Sequence, residues 1–267
     1  MRRILCIGGH EFSGRLEDRA FTDLIASLAG ANGSRPAGEE PRVCLLPTAS
    51  GDADEQRVRF FAAFADRGCA PTEVSLFKLA KRPLALRDHL LAQDLIYVGG
   101  GSLVNLLAVW DAHDVASILR LAWEKGTMIC GQSAGAMCWF EVGVSKGTGV
   151  ARAEAGLGVL PGSCSVHYRT EPDRRKVLQD SVEMGMPDGY GIDDHAALLW
   201  AGCELAGVYS ARAGATAHRV ACSEGRVVET PLTSTLIEPR ERASRPAADI
   251  AEFRRARRAN RRLSPRR

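Results

Sequence analysis

The sequence predicts an α/β fold: a mostly parallel sheet with helices on both faces, and a sharp strand-to-helix turn that carries a serine. Three observations predict it. Short apolar runs of strand length alternate with helical patterns, and parallel neighbours need such crossover connections. Glycines follow several of these runs, at Gly8-Gly9, Gly99-Gly100-Gly101 and Gly131, where tight turns must leave a strand. The 267 residues are 45% apolar and 25% charged, which suits one large domain with a sizeable core.

Taken in order, Arg3–Ile7 reads as a first buried strand, its apolar run too short for a secretory segment. Ala31–Pro41 (ANGSRPAGEEP) is a glycine- and proline-rich loop. Val43–Leu46, Val74–Phe77, Leu95–Val98 and Met128–Cys130 are the next expected strands. Asp54–Asp66, Leu103–Trp110 and Asp114–Lys125 are the expected helices between them. Arg219–Ala221 and Arg226–Glu229, separated by CSEG, suit a hairpin at the sheet margin. The expected domain covers 1–237, with a basic tail over 238–267.

The tail differs in composition from the body. Of 35 basic and 32 acidic residues, 11 and 4 fall in 238–267, which leaves the body at 24 against 28. Its Ala248–Arg262 stretch would be an exposed helix or disordered. Eleven arginines could touch nucleic acid or an acidic surface weakly through their charge, but one aromatic, Phe253, argues against base stacking. No run of about 18 apolar residues is present, so no membrane span is expected. The eight cysteines are scattered, mostly in apolar settings and without C-x-x-C spacing, which points to reduced thiols in a cytoplasm and to no zinc site.

Gly131-Gln132-Ser133-Ala134-Gly135 fits the G-x-S-x-G pattern, in which flanking glycines allow a strained turn that lifts a serine clear of a strand. An ordinary serine at a crowded turn would fit the same five residues. The Gly99–Ser102 turn leaves backbone N–H groups uncovered for an oxyanion or a phosphate. A serine nucleophile needs a base. Of six histidines, His167 sits in a loop about a helix and a strand beyond Ser133, whereas His89 and His113 belong to helical stretches. His10 follows the first strand's glycines, and His218 precedes a late strand. Asp193 and Asp194 are candidate acids, with Glu141 and Glu171 as rivals; two adjacent carboxylates are costly to bury unless one is paired.

Five stretches then resemble one family: LLPTASGDAD (45–54), DLIYVGGGSLVNLLAVW (94–110), CGQSAGAMCWFEVGV (130–144), GLGVLPGSCSVHYRTEPDRR (156–175) and YGIDDHAALLW (190–200). Together they resemble the peptidase E (aspartyl dipeptidase) family of serine peptidases, with cyanophycinase as a more distant relative. The resemblance runs from about Arg3 to about Thr235. It implies a class I glutamine amidotransferase-like fold with serine on the elbow in place of cysteine. It also implies hydrolysis of small peptides, typically dipeptides with an N-terminal aspartate, without metal or organic cofactor. Carried over by position, Ser133 is the nucleophile, His167 the base and Asp194 the acid, with Gly100, Gly101 and the N–H of Ala134 as the oxyanion hole. A homodimer is compatible with it.

The sequence departs from the family pattern in three places. Ser102-Leu103 replaces the Asn-Thr that usually follows the triple glycine. Lys146-Gly147-Thr148 stands where some members carry an aspartate, and His10 and His195 stand where close relatives carry glycine. For an acidic N-terminal residue a cation should face the side chain. Arg174, next to Arg175 and near Arg169, is the expected substrate contact together with Ser102, although a solvated helix start explains the three arginines as well. Two other readings compete: an esterase-type α/β-hydrolase using Ser133, Asp193 or Asp194, and His218, or a catalytically impaired homologue that binds acidic peptides or metabolites.

Overall fold

The computed structural model describes residues 2–31, 38–81 and 83–240. The tail beyond 240, including the expected 248–262 helix, and part of the 31–41 loop lie outside the described residues. The first half of the chain runs β1 (Arg3–Ile7), α1 (Leu16–Gly30), β2 (Arg42–Leu46), α2 (Asp54–Ala65), β3 (Ala70–Glu73), α3 (Leu86–Leu91), β4 (Leu95–Val98), α4 (Leu103–Ala112), α5 (Val115–Glu124), β5 (Met128–Gln132) and α6 (Ala134–Met137). The second half is β6 (Phe140–Ser145), β7 (Arg152–Ala155), β8 (Leu160–Val166), α7 (Pro172–Glu183), β9 (Gly189–Ile192), β10 (Ala196–Ala201), β11 (Glu204–Ser210), β12 (Ala217–Ser223), β13 (Arg226–Pro231) and β14 (Thr235–Leu236).

Two sheets result. The larger has the order β14-β11-β10-β1-β5-β4-β2-β3, and its β1, β5, β4, β2 and β3 are all mutually parallel. Strand alternation sends Ile4 and Cys6 into one buried cluster and Leu5 and Ile7 into another, so both faces must be covered. One face packs on α1 and α2 through Phe21, Ile25, Phe60 and Phe64. The other packs on α4, α5 and α6, and on the second sheet through Phe140, Leu160, Val166 and Ile192. That six-stranded sheet has the order β13-β12-β9-β8-β6-β7, and α7 closes its far side over Tyr168, Leu178 and Val182.

Two expectations need correction. Val74–Phe77 is not a strand: β2 pairs instead with Ala70–Glu73, and Leu76–Lys78 forms a single 3-10 turn. The apolar side chains of Val74 and Leu76 are buried from this turn, while the true edge strand is polar and holds Pro71, which an edge tolerates. The late hairpin exists, with Glu224 and Gly225 both at positive φ between β12 and β13. It lies at the edge of the second sheet, not at the margin of the main one.

Candidate active site

In an open parallel sheet, ligand sites form beyond the carboxyl ends of the strands. Here β1, β4 and β5 end together, since Gly131 pairs with both Cys6 and Val98. The next residue but one, Ser133, takes φ 51° and ψ −117° before α6 begins. Such a backbone is unfavourable for a residue with a Cβ and persists only where the surroundings enforce it. The flanking glycines do so. A Cβ on Gly131 would lie 1.9 Å from the Gly135 carbonyl oxygen, and one on Gly135 would lie 2.3 Å from that of Val98. The Ser133 N–H donates to the Ile7 carbonyl at 3.0 Å, which ties the turn to the neighbouring strand.

The second sheet delivers the partners. Its parallel neighbours β8 and β9 end side by side at Val166 and Ile192, so His167 and the Asp193-Asp194 pair leave the same edge. His167 stands at φ 54°, and its Nδ1–H donates to Asp194 Oδ1 at 2.5 Å. With the proton on Nδ1, Nε2 accepts from the Ser133 hydroxyl at 3.1 Å. Thr170 Oγ1 donates to the other Asp194 oxygen at 2.5 Å. Gly9 closes the join. It bridges Asp194, and a Cβ there would strike Asp194 Oδ1 and crowd His167 Cε1.

Burial alone would raise the Asp194 pKa. The hydrogen bonds from His167 and Thr170 outweigh it and hold the carboxyl down at about 2. The adjacent Asp193, 2% exposed, points elsewhere: its Oδ2 accepts from Arg169 Nε at 2.7 Å and from the Thr216 N–H at 3.0 Å. Burial opposes its ionisation too, but these partners and His218 still lower its pKa. Asp193, buried, and Asp194, half-buried, thus both stay ionised because each has its own donors.

The loop after β4 completes the floor. The N–H groups of Gly99 and Ser102 donate to the Leu46 and Ala49 carbonyls, whereas those of Gly100 and Gly101 meet no acceptor among the described residues. A Cβ on Gly100 would lie 3.2 Å from Ser133 Cβ, so the free N–H groups flank the serine. Gly101, at φ 145°, has no room for a Cβ, which would sit 2.1 Å from the Ala49 carbonyl oxygen. Ala134 opens α6, where a first-turn N–H has no intrahelical acceptor. Around Ser133 lies a cavity of about 480 Å³, lined by Gly100, Gly101, His167 and Asp194, and also by His10, Arg15, His195 and Arg212.

The structure therefore brings Ser133, His167, Asp194, Gly100, Gly101 and Ala134 together. It does not bring Arg174 or Ser102 to the cavity. Arg174 is 9% exposed on α7, with Nε 2.9 Å from Glu171 Oε2, so the helix start uses both residues. Ser102 caps α4, its Oγ accepting from the Asn105 N–H at 3.3 Å. Glu141 is exposed on β6 and lines no part of the cavity. Lys146 pairs with Asp173 at 2.5 Å. His218 lies between Asp193 and Glu229 on β12, away from Ser133, so the esterase arrangement does not form. Thr170, missed from sequence, was signalled by its place three residues after His167. Arg15 and Arg212 carried no local signal. Among the described residues no group of three or more His, Cys, Asp or Glu is placed to hold a metal ion.

A serine, a histidine and a carboxylate joined in one cavity at the edge of an α/β sheet make a hydrolase-type site. The chain belongs to peptidase family S51, whose model it matches over residues 4–207. It is 38% identical over 233 residues to the uncharacterized peptidase YgaJ of Bacillus subtilis (strain 168), an alignment that covers 87% of this chain and 97% of that one. Its fold is shared with a peptidase crystal structure from an acI-B1 Actinobacterium, with a TM-score of 0.65 and 19% identity over 88% of this chain and 95% of that one. A Listeria monocytogenes EGD-e structure described as a peptidase E protein gives a TM-score of 0.56 and 18% identity, over 79% of this chain and 98% of that one. The protein is a peptidase by family, and no helix among the described residues is long and apolar enough to cross a membrane.

Proposed function

We propose that the protein is a serine-type peptidase that cleaves short peptides through an acyl-enzyme on Ser133. The observation that carries this is the continuous hydrogen-bonded chain from Ser133 through His167 and Asp194 to Thr170. In this reading Ser133 sits on a nucleophile elbow. His167 Nε2 takes its proton as Oγ attacks the scissile carbonyl carbon. Asp194 fixes the tautomer and stabilises the imidazolium. The N–H groups of Gly100, Gly101 and Ala134 receive the oxyanion, each well-placed donor worth roughly 3–4 kcal/mol in comparable enzymes. The tetrahedral intermediate collapses as His167 gives the proton to the leaving amine. Water, deprotonated by His167, then attacks the ester, and the carboxylate product leaves with Ser133 reprotonated.

The cavity of about 480 Å³ suits a ligand of two or three residues better than a long chain. Dipeptides with an N-terminal aspartate are the substrates we infer, on the family resemblance. With Arg174 engaged by Glu171, a different group must face that side chain. A reducing cytoplasm suits the eight free thiols.

The test is hydrolysis of an Asp-X panel, with Ala-X and Glu-X controls, by wild type, Ser133→Ala and His167→Ala. Loss on the order of 10⁶-fold in kcat is expected for either variant. Wild-type protein that cleaves no dipeptide and leaves Ser133 unlabelled by a fluorophosphonate would sink the reading.

A further inference from the structure

Beyond the serine the cavity is lined by further ionic side chains, and they are unequally partnered. Nearly every acid there is already matched. Asp194 is held by His167 and Thr170. Asp18 accepts from the Glu11 and Ser13 N–H groups and lies 3.1 Å from His10 Nδ1. Glu17 accepts from Arg212 at 3.1 Å, and Glu11 pairs with Arg59 at 3.3 Å. One cation is left over. Arg15 lines the cavity, is exposed, and makes no ion pair or side-chain hydrogen bond among the described residues. In the same cavity lining, His195 Nδ1 is buried with no hydrogen-bond partner among the described residues. Burial and the Arg212 guanidinium lower the His195 pKa, although Asp18, Glu17 and Asp194 oppose this. The imidazole therefore offers a dipole at neutral pH, and the lining cation without a side-chain partner among the described residues is Arg15.

His167 must hand its proton to the leaving amine, so the leaving residue lies on the flank of His167 and Asp194. Gly9 packs against both residues, the His195 N–H donates to the Gly9 carbonyl at 3.1 Å, and Arg15 lines the same cavity as His167 and Asp194. An extended residue advances the chain by only about 3.5 Å. The C-terminal carboxylate of a one-residue leaving group therefore stays close to the scissile bond, inside the cavity that Arg15 lines.

We propose that Arg15 binds the free C-terminal carboxylate of the leaving residue, which makes the enzyme a reader of chain ends, selective for dipeptides with an open C-terminus. The guanidinium presents a planar fork that matches a carboxylate. This proposal rests on the serine-peptidase reading for the direction of the substrate, and it goes beyond that reading by assigning the residue that limits peptide length.

The test compares Asp-Leu with its C-terminal amide. For wild type, kcat/KM should favour the free acid by about 10-fold, the worth of one charge-assisted contact at a solvent-open site. Arg15→Ala should bring the acid-to-amide ratio close to one. Arg15→Lys should keep part of the preference and lose it as salt rises. Calorimetry of both peptides with Ser133→Ala, and with Ser133→Ala/Arg15→Ala, reads the same ratio in Kd without turnover. Wild type with no preference for the acid overturns the proposal, as does an Arg15→Ala protein that weakens both peptides equally. A changed Asp-Leu to Asn-Leu ratio with an intact acid-to-amide ratio also overturns it, by assigning Arg15 to the N-terminal residue's side chain. If wild type cleaves neither peptide but Ser133→Ala still prefers the acid through Arg15, the peptidase reading falls while the carboxylate site stands.

Discussion

The two sheet edges that meet at the site hold their residues in different ways. The main-sheet edge is fixed by backbone sterics: Ser133 keeps a strained conformation because Gly131 and Gly135 allow main chain to pack where any Cβ would collide. The second-sheet edge is fixed by polar side chains: His167 and Asp194 are aligned by one hydrogen bond between them and another from Thr170. The serine is therefore placed by shape and its partners by charge. Damage to the first edge should appear as lost stability, and damage to the second as lost rate in a folded protein.

The largest expected effect breaks the second edge. Asp194→Asn keeps the shape but favours the wrong imidazole tautomer, and kcat should fall by about 10⁴-fold in a protein that is still folded at pH 7, its thermal transition lowered only by the several degrees that about 2 kcal/mol makes in a chain of this size. Its pH dependence sharpens the contrast. The Asp194 carboxyl is held at about 2 in the folded chain, below its unfolded value near 3.9, so its stabilisation is present above about pH 4 and is lost as pH falls toward 2. The variant should lack that part of the acid destabilisation, about 2 kcal/mol, in urea titrations between pH 2 and 5. A wild-type slope retained in Asp194→Asn would show that the charge does not organise this edge.

On the first edge, Gly135→Ala places a methyl 2.3 Å from the Val98 carbonyl oxygen, and main chain cannot step aside as a flexible side chain could. The expected loss is about 3 kcal/mol or more, measured as a lower urea midpoint, with activity falling in step with the folded fraction. A folded, stable Gly135→Ala protein that is merely slow would erase the distinction between the edges.

The same contrast explains what was legible in sequence. The main sheet was readable because β1, β2, β4 and β5 are buried on both faces and appear as continuous apolar runs. The second sheet was not, because its central strands are built from small residues. Ser163 and Ser165 are fully buried in β8, and Gly191 of β9 leaves room for the Tyr168 ring, which a Cβ would overlap at 2.4 Å. Such strands look like loops. The residues at their ends could still be named, since His167 and Asp194 fall in motif blocks. Arg174 was expected at the substrate because it follows His167 closely in sequence; here Glu171, three residues earlier, pairs with it, and it lines no part of the cavity. Arg15 carried no signal because the role proposed for it depends on which neighbouring charges are already paired, and that appears only in three dimensions.

Ser102 offers the finest test, because it lies in the loop of the first edge without lining the cavity. Its N–H is taken by the Ala49 carbonyl at 2.8 Å and its hydroxyl by the Asn105 N–H, so its side chain caps α4 and leaves the substrate to others. Ser102→Ala should therefore cost about 1 kcal/mol of stability and change kcat/KM for Asp-X dipeptides by less than about twofold. A substantial rise in KM at unchanged stability would return Ser102 to the substrate. It would also mean that the glycine loop recognises peptide with a side chain, in addition to presenting its bare N–H groups to the oxyanion.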